Sequence, residues 1–335
     1  MRRLFSSVLV DMTGIVVIGV AAYLIVFSQW FGALWAAEIP DSFRQFVTIF
    51  LSMVIEALPF VLIGVIVAGA IQIFVTEEHI RRWIPAHSFQ AVAMGCVVGA
   101  LFPACECGIV PIVRKLVGKG VPLGAAVGFL LTGPLINPIV ILSTYMAFGN
   151  DAMIAGWRMG LGFAAALLIA WSISLFFSSN QLRRPVSLPV QRRKPQTSLF
   201  YRFEEMLKHS IDEFFDTGKY LMIGACVAAW MQTHVHTESL LLFGGNDAGE
   251  MLTMMGLAYF LSLCSEADAF IAASFRNIFS TSSILAFLIY GPMIDLKNTI
   301  MLFSVFRARF VVVLLMLVTA VVWLGVWAAK MTQGW

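Results

Sequence analysis

Cys105, Glu106 and Cys107 stand together in the run LFPACECGIVP, between Pro103 and Pro111 and beside Gly108, in sequence otherwise as apolar as a membrane span. Two thiolates favour soft ions such as zinc, copper(I) or trivalent arsenic-like centres, and a carboxylate can add charge or carry a proton. In an unbroken helix, residues two apart point about 200° away from each other, so these two sulfurs would face opposite ways. The prolines and Gly108 predict instead a non-helical turn, where Cys105 and Cys107 converge as a candidate metal or substrate pair and Glu106 joins them. Irregular backbone is tolerated at membrane depth where it is buried in protein or lines a watery cavity. The alternative is that the cysteines are small packing residues. A second run, LSLCSEADAF, again sets a cysteine beside acids: Cys264, Glu266 and Asp268. A charge inside a bilayer is costly unless paired, solvated or neutralised. Glu106, Glu266 and Asp268 are therefore expected to form an ion site or proton relay, or else to lie at the interface.

The elements that must position these residues are membrane helices. With 60% hydrophobic and 12% charged residues in 335, the chain lies outside the soluble range. Its apolar runs reach the roughly 20 residues needed to cross about 30 Å of hydrocarbon. The expected fold is an all-α, polytopic integral membrane bundle, with four parts: an N-terminal transmembrane helix and turn (1–41), a membrane unit (42–177), a basic linker (178–199) and a second membrane unit (200–335). The first apolar run, after Met1, Arg2 and Arg3, reads as a retained helix, being longer than a signal-peptide core. Ala91 to Val113, Leu123 to Phe148, Met153 to Phe177, Gly218 to Val235, Met251 to Phe275, Ile284 to Phe306 and Val311 to Ala329 are further apolar segments. The linker carries three prolines and five basic residues and is expected to be solvated. Five cysteines outside any loop framework argue against a disulfide scaffold. No phosphate loop, nucleophile elbow or zinc-protease motif is present, which argues against a built-in ATPase and against these enzyme classes.

At an offset of 160 residues the two halves resemble each other. Leu62 to Val75 and Met222 to Val235 are identical at six of fourteen positions, Glu56 pairs with Asp216, and Glu106 pairs with Glu266. With a two-residue deletion, Gly133-Pro134 meets Gly291-Pro292 and Asn137 meets Asp295. The ordered series predicts an internal duplication. Basic residues near helix ends favour the cytoplasm. The Arg81 loop, the Arg114 to Lys119 stretch and the linker all fall there only if Ala91 to Val113 dips into the membrane and returns. Each repeat then has about three crossings plus a re-entrant segment, and an odd number of crossings inverts the second copy. Arg276 is then external, and Arg307 and Arg309 internal. A full crossing at each motif is the rival, and it makes the duplication parallel. Inverted repeats with broken helices place a transporter's substrate site at the repeat interface.

Asn137 and Asp295, each just after a Gly-Pro, are candidates for exposing backbone at that interface. Glu56, Asp216, Lys219 and Lys297 read as residues near helix ends. Gln72 and Gln232 are expected to hydrogen-bond between helices. Cys96 and Cys226 read as core, and His234 with His236 as an incidental exposed pair.

PACECGIVPIVRKLVGKGVPLG followed by LLTGPLINPIVILSTY resembles the predicted permease family that includes the organoarsenical efflux permeases. The likeness runs from about Phe46 to Ala329 and implies a bacterial inner-membrane permease. Export of trivalent methylated arsenicals is an activity known within that family, and a monomethyl arsenical could take two thiolates from Cys105 and Cys107. The second motif departs from the first, so Cys264 supplies a third thiolate only if it turns inward. The expected function is secondary transport of a small thiophilic ion or metalloid by alternating access, with protons as counter-substrate. The candidate substrate-binding residues are Cys105, Glu106, Cys107, Asn137, Cys264, Glu266, Asp268 and Asp295. No cofactor and no nucleic-acid partner is expected; a homo-oligomer or a partner subunit remains open. A membrane dithiol redox enzyme and a subunit of a larger transport assembly are the alternatives.

Overall fold

A computed structural model describes residues 40–333, apart from 77, 79, 81, 83, 86, 103–104, 178–180, 184–198 and 235–246. The N-terminal helix expected over 1–41, Pro103, Arg81, His236 and most of the basic linker lie outside the described residues. Two compact units are formed, Met1–Thr48 and Ile49–Trp335. In the first, the described residues open a helix and carry an Asp41–Arg44 ion pair at 3.9 Å. All that follows concerns the second.

The helices are α1 (Asp41–Phe74), α2 (Ser88–Leu101), α3 (Glu106–Gly118), α4 (Leu123–Thr132), α5 (Pro138–Ala147), α6 (Ala152–Phe176), α7 (Leu199–His234), α8 (Asp247–Leu261), α9 (Ala267–Ser274), α10 (Thr281–Met293), α11 (Leu296–Val305) and α12 (Ala308–Gln333). Four stretches among the described residues are long and apolar enough to cross a membrane: Asp41–Phe74, Ala152–Phe176, Thr281–Val305 across its break, and Ala308–Thr332. Outward-facing Leu51, Ile55, Leu62, Leu168, Leu175, Met316 and Leu324 are exposed, as lipid-facing side chains should be. Lengths of 34, 14, 13, 10, 10 and 25 residues in α1–α6 are followed by 36, 15, 8, 13, 10 and 26 in α7–α12.

Several segments that read as single spans are broken. Leu123 to Phe148 stops at Gly133–Asn137, where the Asn137 side chain accepts from Ile139 N at 3.0 Å and starts α5. Ile284 to Phe306 stops at Ile294 and Asp295, and Asp295 Oδ1 accepts from Asn298 N at 2.5 Å to start α11. Asparagine and aspartate are favoured at this position because their oxygens satisfy an amide that the helix leaves unpaired. Conversely, the apolar segment Gly218 to Val235 is the second half of a longer helix, α7, that begins at Leu199. The short helices α4 and α10 form the centre, with every residue of α4 buried and α10 buried from Ser282 onward.

Close approaches fix the helix directions. A Cβ on Gly64 of α1 would overlap the backbone of Gly108 in α3. Below that crossing, Lys119 Nζ donates to the carbonyls of Gln72, at 2.7 Å, and Val75. α1 and α3 therefore run parallel. Gly95 faces Ala125 and Gly99 faces Phe129 and Thr132, so α2 and α4 also run parallel. The four-residue connection 119–122 turns the chain back between α3 and α4, and Ile109 reaches Gly133 at the far end. Hence α2 and α3 run in opposite directions as the two arms of a hairpin, with Leu101 and Glu106 at its tip end. Small residues permit these backbone approaches, as at many membrane helix crossings.

The second hairpin is α8–α9. Lys330 Nζ to Asp247 at 2.5 Å and Trp323 Nε1 to the Ala248 carbonyl at 3.4 Å set the start of α8 beside the end of α12. Glu250 accepts from Ser280 N at 2.6 Å, bringing the start of α10 to the same face. Arg276 pairs with Asp151 at 3.7 Å, so α9 returns to that face, beside the α5–α6 turn. Across the molecule, Arg183 N to the Val305 carbonyl (2.8 Å) and Arg307 N to the Gln181 carbonyl (2.9 Å) tie the end of the first half to the α11–α12 turn. The two hairpins thus enter from opposite faces, and their tips meet in the middle. Packing partners correspond as well: α2 with α4 and α8 with α10, α4 with α6 and α10 with α12, α3 with α11 and α9 with α5.

Candidate functional site

The α2–α3 tip delivers its residues to one point because the helix restarts there. Cys105 is extended (φ −77°, ψ 167°), and α3 begins at Glu106 with Cys107 in its first turn. Break and restart place both thiols on one small cavity, which also takes Cys264 from the opposite hairpin, Met53, Glu56, Ala57 and Phe60 from α1, and Lys297. Cys264 does turn inward. The cavity has room for about one water molecule, so its present form is closed. Among the described residues, no three His, Cys, Asp or Glu side chains converge as a metal-ion ligand set.

Lys297 of α11 stands between two acids: its Nζ is 3.4 Å from Glu106 Oε1 and 3.8 Å from Asp295 Oδ2. It also donates to the Ser262 carbonyl at 3.4 Å. Ser262 Oγ accepts from the amides of Leu296 and Lys297 at 3.1 and 3.3 Å, locking the second tip onto the α10–α11 break. Lys297 does lie near a helix end, as the second residue of α11, but it pairs inward rather than snorkelling; only 4% of it is exposed. It is carried inward by the α10–α11 break, and Gly224 of α7 packs on its backbone, with 3.0 Å between a built Cβ and its carbonyl oxygen.

Asp268 lies in the first turn of α9, its amide bonded to the Cys264 carbonyl at 2.9 Å. Its neighbour is a residue the sequence reading missed. Arg158 of α6 is 1% exposed, and its guanidinium donates to Thr144 Oγ1 at 2.6 Å and to the Ser265 carbonyl at 3.1 Å. A signal existed: Arg158 is the one charged residue between Met153 and Phe176, and an arginine at membrane depth points to function by default. Thr144, Ser262 and Asn298 carry no comparable signal.

Of the candidates, Cys105, Glu106, Cys107 and Cys264 share the cavity, Asp295 joins through Lys297, and Asp268 lies beside them with one oxygen unpartnered. Glu266 precedes α9 as its N-cap and is half-buried. Asn137 caps α5 and does not line the cavity. Cys96 is buried against Gly128, as expected of core. Cys226 is not core: it is exposed on α7, whose buried stripe is Leu221, Gly224, Ala225, Ala228 and Ala229. Gln232 bonds the Leu261 carbonyl between helices as expected, whereas Gln72 Oε1 has no partner. Arg114 and Lys115 do not lie in an open loop. They sit in α3 and converge on Glu213 of α7 at 2.8 and 2.7 Å. Asp216 pairs with Lys219 at 2.6 Å on the surface.

Across residues 42–331 the chain matches the family described as predicted permease. It belongs to that family. The chain is 51% identical to UPF0718 protein YcgR of Bacillus subtilis over 285 residues, which cover 85% of this chain and 97% of YcgR. A Streptococcus mutans protein named as a subunit of a two-component membrane permease complex is 40% identical over 283 residues, 82% of this chain and 91% of that one. UPF0718 protein YraQ of Escherichia coli is 24% identical over 135 residues, 40% of this chain and 34% of YraQ. No solved structure matches. This permease-family chain, with several membrane-spanning helices, is a multi-pass bacterial membrane protein.

Proposed function

We propose that the chain is a secondary transporter that moves a small thiophilic species, a trivalent organoarsenical or a soft metal ion, outward by alternating access with protons as counter-substrate. The observation that carries this reading is the cavity shared by Cys105, Cys107 and Cys264, three thiols from two hairpins that enter from opposite faces. Soft sulfur ligands select soft centres. A site closed to about one water has to open for cargo, and parting the hairpins toward one face or the other is alternating access in its simplest form.

Inverted repeats are supported by four features. The helix lengths recur in order, the packing partners correspond, the hairpins enter from opposite faces, and Asn137 and Asp295 cap equivalent helices. Orientation is supported by charge. Arg183, Arg307 and Arg309 gather at the face where α1, α6 and α11 end, which the positive-inside tendency assigns to the cytoplasm. Within residues 49–333, Arg276 and Lys330 lie at the other face, each paired with an acid.

The test is uptake into oriented vesicles of zinc, copper(I) and methylated arsenite, with and without a pH gradient. Wild type is expected to carry at least one of them in a gradient-dependent way, and the Cys105→Ser, Cys107→Ser double variant to lose both binding and transport. Undiminished binding in that variant sinks the thiol site.

A second reading, the membrane subunit of a two-component permease, draws on the name given to the Streptococcus mutans relative. Co-purification of a stoichiometric partner without which vesicles do not transport favours it; transport by the chain alone removes it.

A further inference from the structure

Five charged side chains are buried at the centre: Glu106, Asp268 and Asp295 against Lys297 and Arg158, none more than 4% exposed. Three carboxyls face two cations, so one acid is in excess. Glu106 and Asp295 share Lys297, and Asp295 holds the Asn298 amide besides. Asp268 is the acid left over. Glu106 Oε2, Asp295 Oδ2 and Asp268 Oδ2 all lack a hydrogen-bond partner, but Glu106 and Asp295 lie 3.4 and 3.8 Å from the Lys297 ammonium, whereas Asp268 lies against Gly291, where a built Cβ would come within 2.7 Å of its Oδ2. Arg158 faces Asp268, yet its two terminal nitrogens are held by Thr144 and Ser265, and its Nε is unpartnered. Among the described residues the pair does not close to 4.0 Å. The other charges whose fields reach Asp268 are Glu106 of α3 and Asp295 and Lys297 at the α10–α11 break, while Cys264 faces Arg158.

We propose that Asp268 is the carboxyl that carries the counter-transported proton, and that Arg158 is the counter-charge that closes on it when the proton leaves. This rests on the transporter reading above and names its proton site. With a proton on Asp268 the buried group is neutral, two carboxylates against two cations, and the unpartnered oxygen is that of an uncharged acid. A bare carboxylate in the same place would bear the full cost of burying an unpaired charge. When the proton passes to water in an opened pathway, Arg158 must turn toward Asp268 to compensate. That motion costs its bond to the Ser265 carbonyl or to Thr144 Oγ1. Ser265 follows Cys264 directly, so releasing it frees the hairpin tip that supplies the third thiol. Proton occupancy at Asp268 and the shape of the thiol cavity are thereby linked through two adjacent residues.

The experiment is infrared spectroscopy of the full chain in lipid nanodiscs, reading the carbonyl stretch of a protonated carboxyl in a membrane-buried site. Near neutral pH, wild type is expected to show the band and Asp268→Asn to lack it; Glu106→Gln removes the excess of acid and should move the band's titration midpoint downward. Arg158→Gln, or Arg158→Lys if the glutamine variant does not assemble, tests the counter-charge. Removing that charge should move the band's titration midpoint upward by about one to three pH units, and the lysine variant, with its shorter reach, should move it in the same direction by less. A band that survives in Asp268→Asn, or a midpoint raised by Glu106→Gln, overturns the assignment. So does an unmoved midpoint, which decides the matter even where the Asp268 variant fails to fold. Because the band reports proton occupancy without any cargo, its failure and a failure of thiol-dependent transport are separate results.

Discussion

Replacing Lys297 with methionine tests whether the centre is held by charge compensation. The side chain keeps an apolar stem as far as Cε and loses its ammonium, which lies 3.4 Å from Glu106 and 3.8 Å from Asp295. Glu106 already has one oxygen without a partner, so the variant leaves it with no counter-charge at all. Asp295 retains the Asn298 amide at 2.5 Å. Breaking a buried ion pair from one side costs about 3–5 kcal/mol, most of it the penalty of the charge left behind. That corresponds to roughly a hundred- to several-thousand-fold fall in the ratio of folded to unfolded protein. Reversible unfolding of the purified chain in mixed micelles, followed by far-ultraviolet circular dichroism against dodecyl sulfate, would read it. Adding Glu106→Gln should recover about half of the loss, because one stranded charge is removed while Asp295 keeps its amide donor. A Lys297→Met protein as stable as wild type would refute the reasoning. A double variant no more stable than the single one would do the same, since the penalty would then not come from stranded carboxylate charge.

Two further outcomes follow from packing and pairing. Gly64→Ala should cost about 1–3 kcal/mol in the same unfolding assay and make Cys107 alkylatable, because its Cβ meets the backbone of Gly108 rather than a side chain that can give; Gly160→Ala, with open space around it, should do neither. Glu213→Gln, which leaves Arg114 and Lys115 without their shared carboxylate, should destabilise by about 1–3 kcal/mol, and adding Lys115→Met should restore part of that; equal stability of wild type and Glu213→Gln would mean that the cations are already solvated.

Much of the site could be read from residue types. Cys105, Glu106, Cys107 and Cys264 attract attention because soft ligands and acids are out of place in lipid-like sequence, and they do meet. Asn137 and Asp295 were legible as a matched pair after Gly-Pro, although their visible work is to cap α5 and α11. Lys297 was read as a residue near a helix end, since a lysine beside polar neighbours ordinarily reaches for the interface. The Gly-Pro before Asp295 marks a break, but nothing local announces that the break turns Lys297 inward. Arg114 and Lys115 read as loop residues for a related reason but lie within α3, whereas Lys119 does lie in the connection that follows it. Their run of positive charge resembles a loop, but Glu213 lies about a hundred residues away in sequence and α1's last carbonyls are supplied by a different helix. Cys226 was misassigned because the stripe it misses is set by what α7 packs against, not by its own apolar character.

The sequence by itself determined that this is a polytopic membrane protein, which residues are chemically anomalous in it, and where its two halves carry identical residues at a fixed offset. Those properties are local: hydropathy over about 20 residues, the special backbone of proline and glycine, and identity at a fixed offset. The tertiary structure decided which anomalies meet. Gly64 on Gly108 brings α1 to the first tip, Ser262 fastens the second tip to the α10–α11 break, and only then do three thiols share a cavity and five charges share a core. Coulomb and contact energies depend on distances in space, and the residues concerned are separated by up to about 190 positions in the chain, from Cys105 to Lys297. No pattern along the sequence encodes those distances, so pairing and charge balance at the centre became visible only when the helices were packed.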